Sequence, residues 1–115
     1  MHAVGLFGSD GAPRWIVIRR YGDYWLENDP AVCVREWRLL HLLERENLLA
    51  ARPLWLDAMG EAFGRPTLAT TLLNGRPQLE PRDVDAWARG LATAIAAVHS
   101  APIAHAELDF LVDQA

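Results

Sequence analysis

Cysteine is nearly absent: Cys33 stands alone in 115 residues, so no intramolecular disulfide can form and a secreted disulfide scaffold is excluded. Basic residues are outnumbered, 11 Lys plus Arg against 15 Asp plus Glu for a net charge of −4, and they form no cluster or stripe. A general nucleic-acid binder, whose affinity rests on neutralising phosphates, is not expected. Long apolar runs are missing too. The most continuous uncharged stretch, Leu91 to Ile103, is too short to span a bilayer and holds His99, Ser100 and Pro102. No basic segment followed by an apolar core opens the chain, and no repeat or low-complexity tract marks a second domain. With 51% hydrophobic residues, a chain of this length buries enough surface to fold without metal or disulfides. One domain over residues 1–115 is expected, in the cytoplasm, with no membrane partner.

Patterned segments fill that domain. Arg14 to Tyr21 is rich in β-branched and aromatic residues and apolar on both pleat faces, which predicts a central strand. His2 to Phe7 reads as its hairpin partner across Gly8-Ser-Asp-Gly-Ala-Pro13, where Asp10-Gly11 is strong turn chemistry. Asp29-Pro30 reads as an N-cap followed by a first-turn proline, opening a helix from Pro30 to Glu46. Pro53 to Asp57 and Pro66 to Leu73 read as strands, joined through the Gly60 and Gly64 region. After the break at Asn74-Gly75-Arg-Pro77, Pro81 opens a second helix that ends near Ser100 and carries a stripe of Val84, Trp87, Leu91, Ile95 and Val98. The order is β, β, α, β, β, α, an α+β class. The tail Ile103 to Ala115 has no assigned structure.

One carboxylate is in the wrong place. Around the first helix, Val32, Leu39, Leu40 and Leu43 fall at about −40°, −60°, +40° and −20° from Glu36. Glu36 therefore sits in the middle of the apolar face and must be paired, neutralised or aimed at a cavity. Arg19 shares a strand face with Trp15 and Val17, a second misplaced charge of opposite sign. The two are expected to meet; the alternative has Arg19 snorkelling at a sheet edge and Glu36 at a helix–sheet margin. Cys33 reads as a buried structural thiol, and the five tryptophans as core, Trp25 excepted. His2, His41, His99 and His105 lack i, i+4 or Cys-paired spacing, so no metal site is read, and His99 suits a helix C-terminus more than catalysis.

A strand ending in Val17-Ile18-Arg19, a helix with an inward Glu36, a strand pair ending at Leu73-Asn-Gly75 and a helix closing on Val98-His99 together resemble the nucleotide-binding N-terminal lobe of aminoglycoside phosphotransferase-type kinases, relatives of choline kinase and protein kinases. The resemblance spans about Trp15 to Phe110. It implies a protein kinase-like fold: a small antiparallel sheet with a packed helix over residues 1–75, the first helix of the second lobe over 76–100, and a tail over 101–115. In such kinases a basic residue on the third strand holds the nucleotide phosphates and is positioned by a glutamate on the next helix. Arg19 and Glu36 would take those places, Thr71, Leu72 and Leu73 the hinge that hydrogen-bonds adenine, and Thr70 the border of the adenine pocket. The implied function is that of the nucleotide lobe of an ATP-dependent small-molecule phosphotransferase, using magnesium in the complete enzyme.

Parts of such a kinase are not found. Gly5, Gly8 and Gly11 do not make a phosphate cover, because Gly11 and Arg19 are too close for the turn and strand of about five or six residues that belong between them; Gly8 and Gly11 read as hairpin glycines. His105-Ala-Glu107 with Leu111-Val-Asp113 faintly resembles a catalytic loop, but three residues and the metal-binding Asn are absent and Glu107 stands where Asp belongs. The segment reads better as the connection after the helix. No catalytic or metal residue is assigned, and the chain is expected to be a truncated unit, inactive alone. Its partners would be a missing C-terminal lobe or a second copy meeting an exposed apolar face. From a different class, the alternative is a non-catalytic α+β interaction or dimerisation module derived from a kinase lobe.

Overall fold

In the computed structural model, which describes residues 2–111, the hairpin forms around its turn chemistry. Gly11 takes φ +76° and donates to the Gly8 carbonyl at 2.9 Å, while the Asp10 carboxylate accepts from the Ala12 amide at 3.0 Å. This joins β1 (His2–Phe7) to β2 (Pro13–Arg20), antiparallel, with Val4 opposite Ile16 and Gly5 opposite Trp15. Gly8 and Gly11 are thus hairpin glycines. β3 (Pro53–Asp57) and β4 (Thr67–Thr71) pair antiparallel, and β4 inserts beside β2 to give the order β1-β2-β4-β3. β2 is central, as its two apolar faces require.

Between β2 and β3 run two helices. The first, α1 (Asp23–Asn28), was not read from the sequence, because its six residues bury nothing fully and show no apolar stripe. Asp29 closes it by donating its amide to the Trp25 carbonyl at 2.8 Å. That role takes Asp29 away from the next N-cap: α2 (Val32–Arg45) starts from Ala31 without a side-chain cap, and Pro30 lies in the turn before it. α2 ends in a Schellman motif, with Leu48 donating to Leu43 and Asn47 to Glu44, each at 3.0 Å, and Asn47 in the left-handed region at φ 54°. α3 (Val84–His99) starts from Asp83, whose side chain accepts from the Ala86 amide at 2.9 Å.

Tyr21, Cys33 and Leu68 form the core, with Leu26, Val32, Trp37, Leu40 and Leu56 packed around them. Only Trp37 of the five tryptophans joins it. Trp15, Trp55 and Trp87 are 58%, 42% and 43% exposed, which corrects the expectation of buried indoles; a single helix covers only the end of the sheet near Tyr21. Trp25 is exposed, as expected. α3 stands clear of the sheet with its whole stripe, Val84, Trp87, Leu91, Ile95 and Val98, at 43–61% exposure, and the radius of gyration is 16.5 Å where a packed domain of this length has about 13 Å. Beyond α3 the chain returns to the outer face of α2 as a 3₁₀ turn, His105–Leu108. Arg45 grips the Glu107 carboxylate at 2.5 and 3.2 Å, Arg35 donates to the Phe110 carbonyl at 2.8 Å, and the Arg38 guanidinium lies 4.2 Å from the Phe110 ring centre. Asp113 of the loop-like motif, and the tail from residue 112 onward, lie outside the described residues.

The β3–β4 connection is built on Asp57. Its buried carboxylate accepts from the Glu61, Ala62 and Phe63 amides at 2.9, 2.9 and 3.3 Å. Gly60 sits in this loop at φ +73°, where a Cβ would come within 2.8 Å of the Arg65 backbone, so only glycine fits. Burial opposes ionisation of Asp57, but the backbone donors outweigh it and hold its carboxyl below the usual carboxylate range. A depressed carboxyl stabilises the fold above its unfolded pKa of about 3.9 and loses that contribution as pH falls through the folded value. Asp57→Ala should therefore lower the melting temperature at pH 7, and its deficit relative to wild type should shrink on acidification below about pH 4. A pH-independent deficit in thermal melts would contradict the assigned role.

Candidate functional site

Strand periodicity places Arg19 and Tyr21 on one face of the β2 end, toward α2. Helical periodicity places Glu36 on the face of α2 that meets them. Arg19 Nη1 donates to Glu36 Oε1 at 2.8 Å, and the Tyr21 hydroxyl donates to Glu36 Oε2. The Arg19 guanidinium also lies 4.9 Å from the Tyr21 ring centre, within cation–π range. The expected pair is thus present, with side chains 35% and 30% exposed, at the wall of a cavity and not sealed in the core. Tyr21, which the sequence reading did not single out, is the third member, and the signal for it was available: it follows Arg19 by two residues on the same strand face.

The cavity beside them has a volume of about 300 Å³ and is lined by Val17, Arg19, Glu36, Leu40, Ala51, Leu68, Thr70, Thr71, Leu72 and Leu73. All six residues singled out in the sequence, Arg19, Glu36, Thr70, Thr71, Leu72 and Leu73, line it. Their chemistry differs. Thr71 is held by the sheet margin, its amide donating to the Arg52 carbonyl at 3.0 Å and its Oγ1 accepting from the Arg52 amide at 2.9 Å. β4 ends there, so the backbone of Leu72 and Leu73 lies past the last rung of the ladder. The walls are aliphatic side chains and two threonines, with Arg19 and its partner Glu36 as the charged groups among the lining residues, so the cavity is a largely apolar pocket beside a paired cation.

Electrostatics elsewhere limit what the remaining groups do. Burial, then the hydrogen bond and charge of Glu36, push the Tyr21 phenol far above its ordinary value, so it stays a neutral donor. Burial, with the charges of Glu36 and Asp57, pushes the Cys33 thiol up to about 11; it is an unreactive core residue, as expected. The hydrogen bonds from Arg45 and from the Ala104 amide hold Glu107 below the usual carboxylate range, which makes it a structural anion and a poor general base. Among the described residues, no three His, Cys, Asp or Glu side chains gather as a metal-holding group, and no helix is long and apolar enough to cross a membrane.

Removing one partner of this triad leaves the others unsatisfied. Glu36→Ala should cost about 1–3 kcal/mol in thermal or denaturant melts, a range below that of sealed ion pairs because solvent screens a site one-third exposed. Arg19→Ala combined with Glu36→Ala should cost less than the two single losses added. Simple additivity would place the pair in free solvent and contradict the contact.

No curated protein matches the chain. The family comparison is decisive: the model of the phosphotransferase enzyme family matches residues 7–113, nearly the whole chain and every element that builds the cavity. Together with the four-stranded antiparallel sheet, the helix that brings Glu36 to Arg19, and the further helix α3, this match establishes that the chain belongs to the phosphotransferase enzyme family and carries its kinase-like N-lobe.

Proposed function

We propose that this chain is the nucleotide-binding lobe of an ATP-dependent small-molecule phosphotransferase of the aminoglycoside phosphotransferase type, inactive alone. One observation carries the reading: a single cavity is lined by a cation, its carboxylate partner and the residues at which β4 leaves the sheet. The adenine ring packs between Val17, Leu40 and Leu68, with Thr70 bordering it. Leu72 and Leu73 offer backbone groups to its polar edge, and Thr71 contributes wall, its amide being committed to Arg52. Arg19 holds phosphate oxygens, for which a guanidinium is a forked donor, and Glu36 keeps it in place. The chain has no lysine, so every one of its 11 Lys plus Arg residues is an arginine.

Phosphoryl transfer also requires a nucleophile-orienting group and metal ions that neutralise developing charge. No group of three His, Cys, Asp or Glu side chains gathers among the described residues, and Glu107 is engaged by Arg45. On this reading residues 1–75 form the lobe, 76–100 begin a second one, 101–115 are a tail, and the small-molecule substrate and the catalytic groups belong to that second lobe. A cytoplasmic location accords with the lone thiol of Cys33. The exposed stripe of α3 supports a covering surface, either that lobe or a second copy. The same stripe favours a second reading, a non-catalytic interaction or dimerisation module, which predicts a dimer in sedimentation and no nucleotide binding.

Two measurements test the proposal. In calorimetric titration ATP should bind more tightly than adenosine, and Arg19→Ala should weaken ATP by about tenfold or more while sparing adenosine. Thr70→Phe, which fills the cavity, should weaken both. The purified chain should phosphorylate neither aminoglycosides nor choline nor similar alcohols. Robust magnesium-dependent transfer, lost on Glu107→Gln or Asp109→Asn, would overturn the inactivity and promote the faint catalytic-loop resemblance of His105 to Asp113.

A further inference from the structure

We infer that Tyr21 is a positioning residue that locks Glu36 onto Arg19, so that the phosphate-holding cation is assembled before any nucleotide arrives. The inference rests on the nucleotide-lobe reading above. An arginine–glutamate pair whose side chains are 35% and 30% exposed is a weak constraint by itself, because water competes for both groups and two long side chains must be ordered. Glu36 reaches in from α2 on a flexible stem. With Oε1 on Arg19 alone, its carboxylate remains free to turn.

The Tyr21 hydroxyl removes that freedom by engaging Oε2. Tyr21 is itself immobile: it is 1% exposed, in the core cluster with Cys33 and Leu68, and its backbone amide donates to the Pro66 carbonyl at 3.1 Å, tying it to the start of β4. Its ring also flanks Arg19, with the guanidinium carbon 4.9 Å from the ring centre. One rigid side chain thus touches both members of the pair. Among the described contacts Arg19 engages Glu36 only through Nη1, which leaves Nε and Nη2 for phosphate oxygens. A preassembled cation avoids the ordering cost at the moment of binding. Tyr21 is placed to act on the phosphates through Glu36 and Arg19, without touching them.

Titrating the wild type, Tyr21→Phe, Glu36→Gln and the double variant with ATP and with adenosine tests this. Phenylalanine keeps the ring, the packing and the contact with Arg19, and removes only the hydroxyl. Tyr21→Phe should bind ATP about three- to tenfold more weakly and adenosine unchanged, since adenosine has no phosphates. The double variant should bind ATP no more weakly than Glu36→Gln, because Tyr21 works through Glu36. Unchanged ATP affinity in Tyr21→Phe, an equal loss for both ligands, or independent losses in the double variant would each overturn the positioning role while leaving the nucleotide reading intact. A wild type that binds neither ligand would overturn that reading and, with it, this inference.

Discussion

Everything at the candidate site depends on one carboxylate held between two elements. Glu36 comes from a helix that covers only part of a small sheet, and its charge has no place on that apolar face unless the sheet answers it. The sheet answers twice from the end of β2, with the Arg19 guanidinium and the Tyr21 hydroxyl. These contacts join α2 to the sheet beside the packing of Cys33 and Leu40 against Tyr21 and Leu68, and Leu40, one turn further along the same face, lines the same cavity. Removing the Glu36 carboxylate alone would leave both donors unanswered. On the nucleotide-lobe reading proposed above, the charged arrangement serves a ligand.

The parts of this arrangement that obey a period were legible in the sequence. A two-residue alternation put Arg19 on the Trp15–Val17 face, and a helical wheel put Glu36 among leucines; two misplaced charges implied one contact, which the structure contains at 2.8 Å. All four strands, α2 and α3 were visible too, from β-branched composition, turn chemistry and the helical stripe. Tyr21 was missed because it ends the strand run, next to Gly22, where it reads as boundary and not as site. α1 was missed because its six residues bury nothing fully. The indoles of Trp15, Trp55 and Trp87 were misplaced because apolar character marks a face without telling whether anything covers it. The N-cap at Asp29 failed because a neighbouring helix had already claimed that residue as its end.

The second notable feature is how unevenly α2 and α3 are used. The outer face of α2 carries Arg35, Arg38 and Arg45, which in the sequence look like an ordinary solvated surface; in the structure they hold the segment around Glu107 and Phe110. That segment follows α3, so the chain folds back over the helix that carries Glu36 while α3 itself stands away with its stripe exposed. Charged residues thus organise the return of the chain, and the apolar stripe of α3 is uncovered among the described residues. This division is the reverse of what burial alone would select.

The most direct test of the central claim, that the cavity beside Arg19 is a nucleotide site, is a titration of the ¹⁵N-labelled chain with ATP followed by NMR. The account predicts saturable shifts confined to the Leu72 and Leu73 amides, the Arg19 side-chain nitrogens and residues lining the same cavity, with adenosine reproducing the former and not the Arg19 shifts. Shifts spread along the α3 stripe instead, or no saturable shift at any cavity residue, would contradict it.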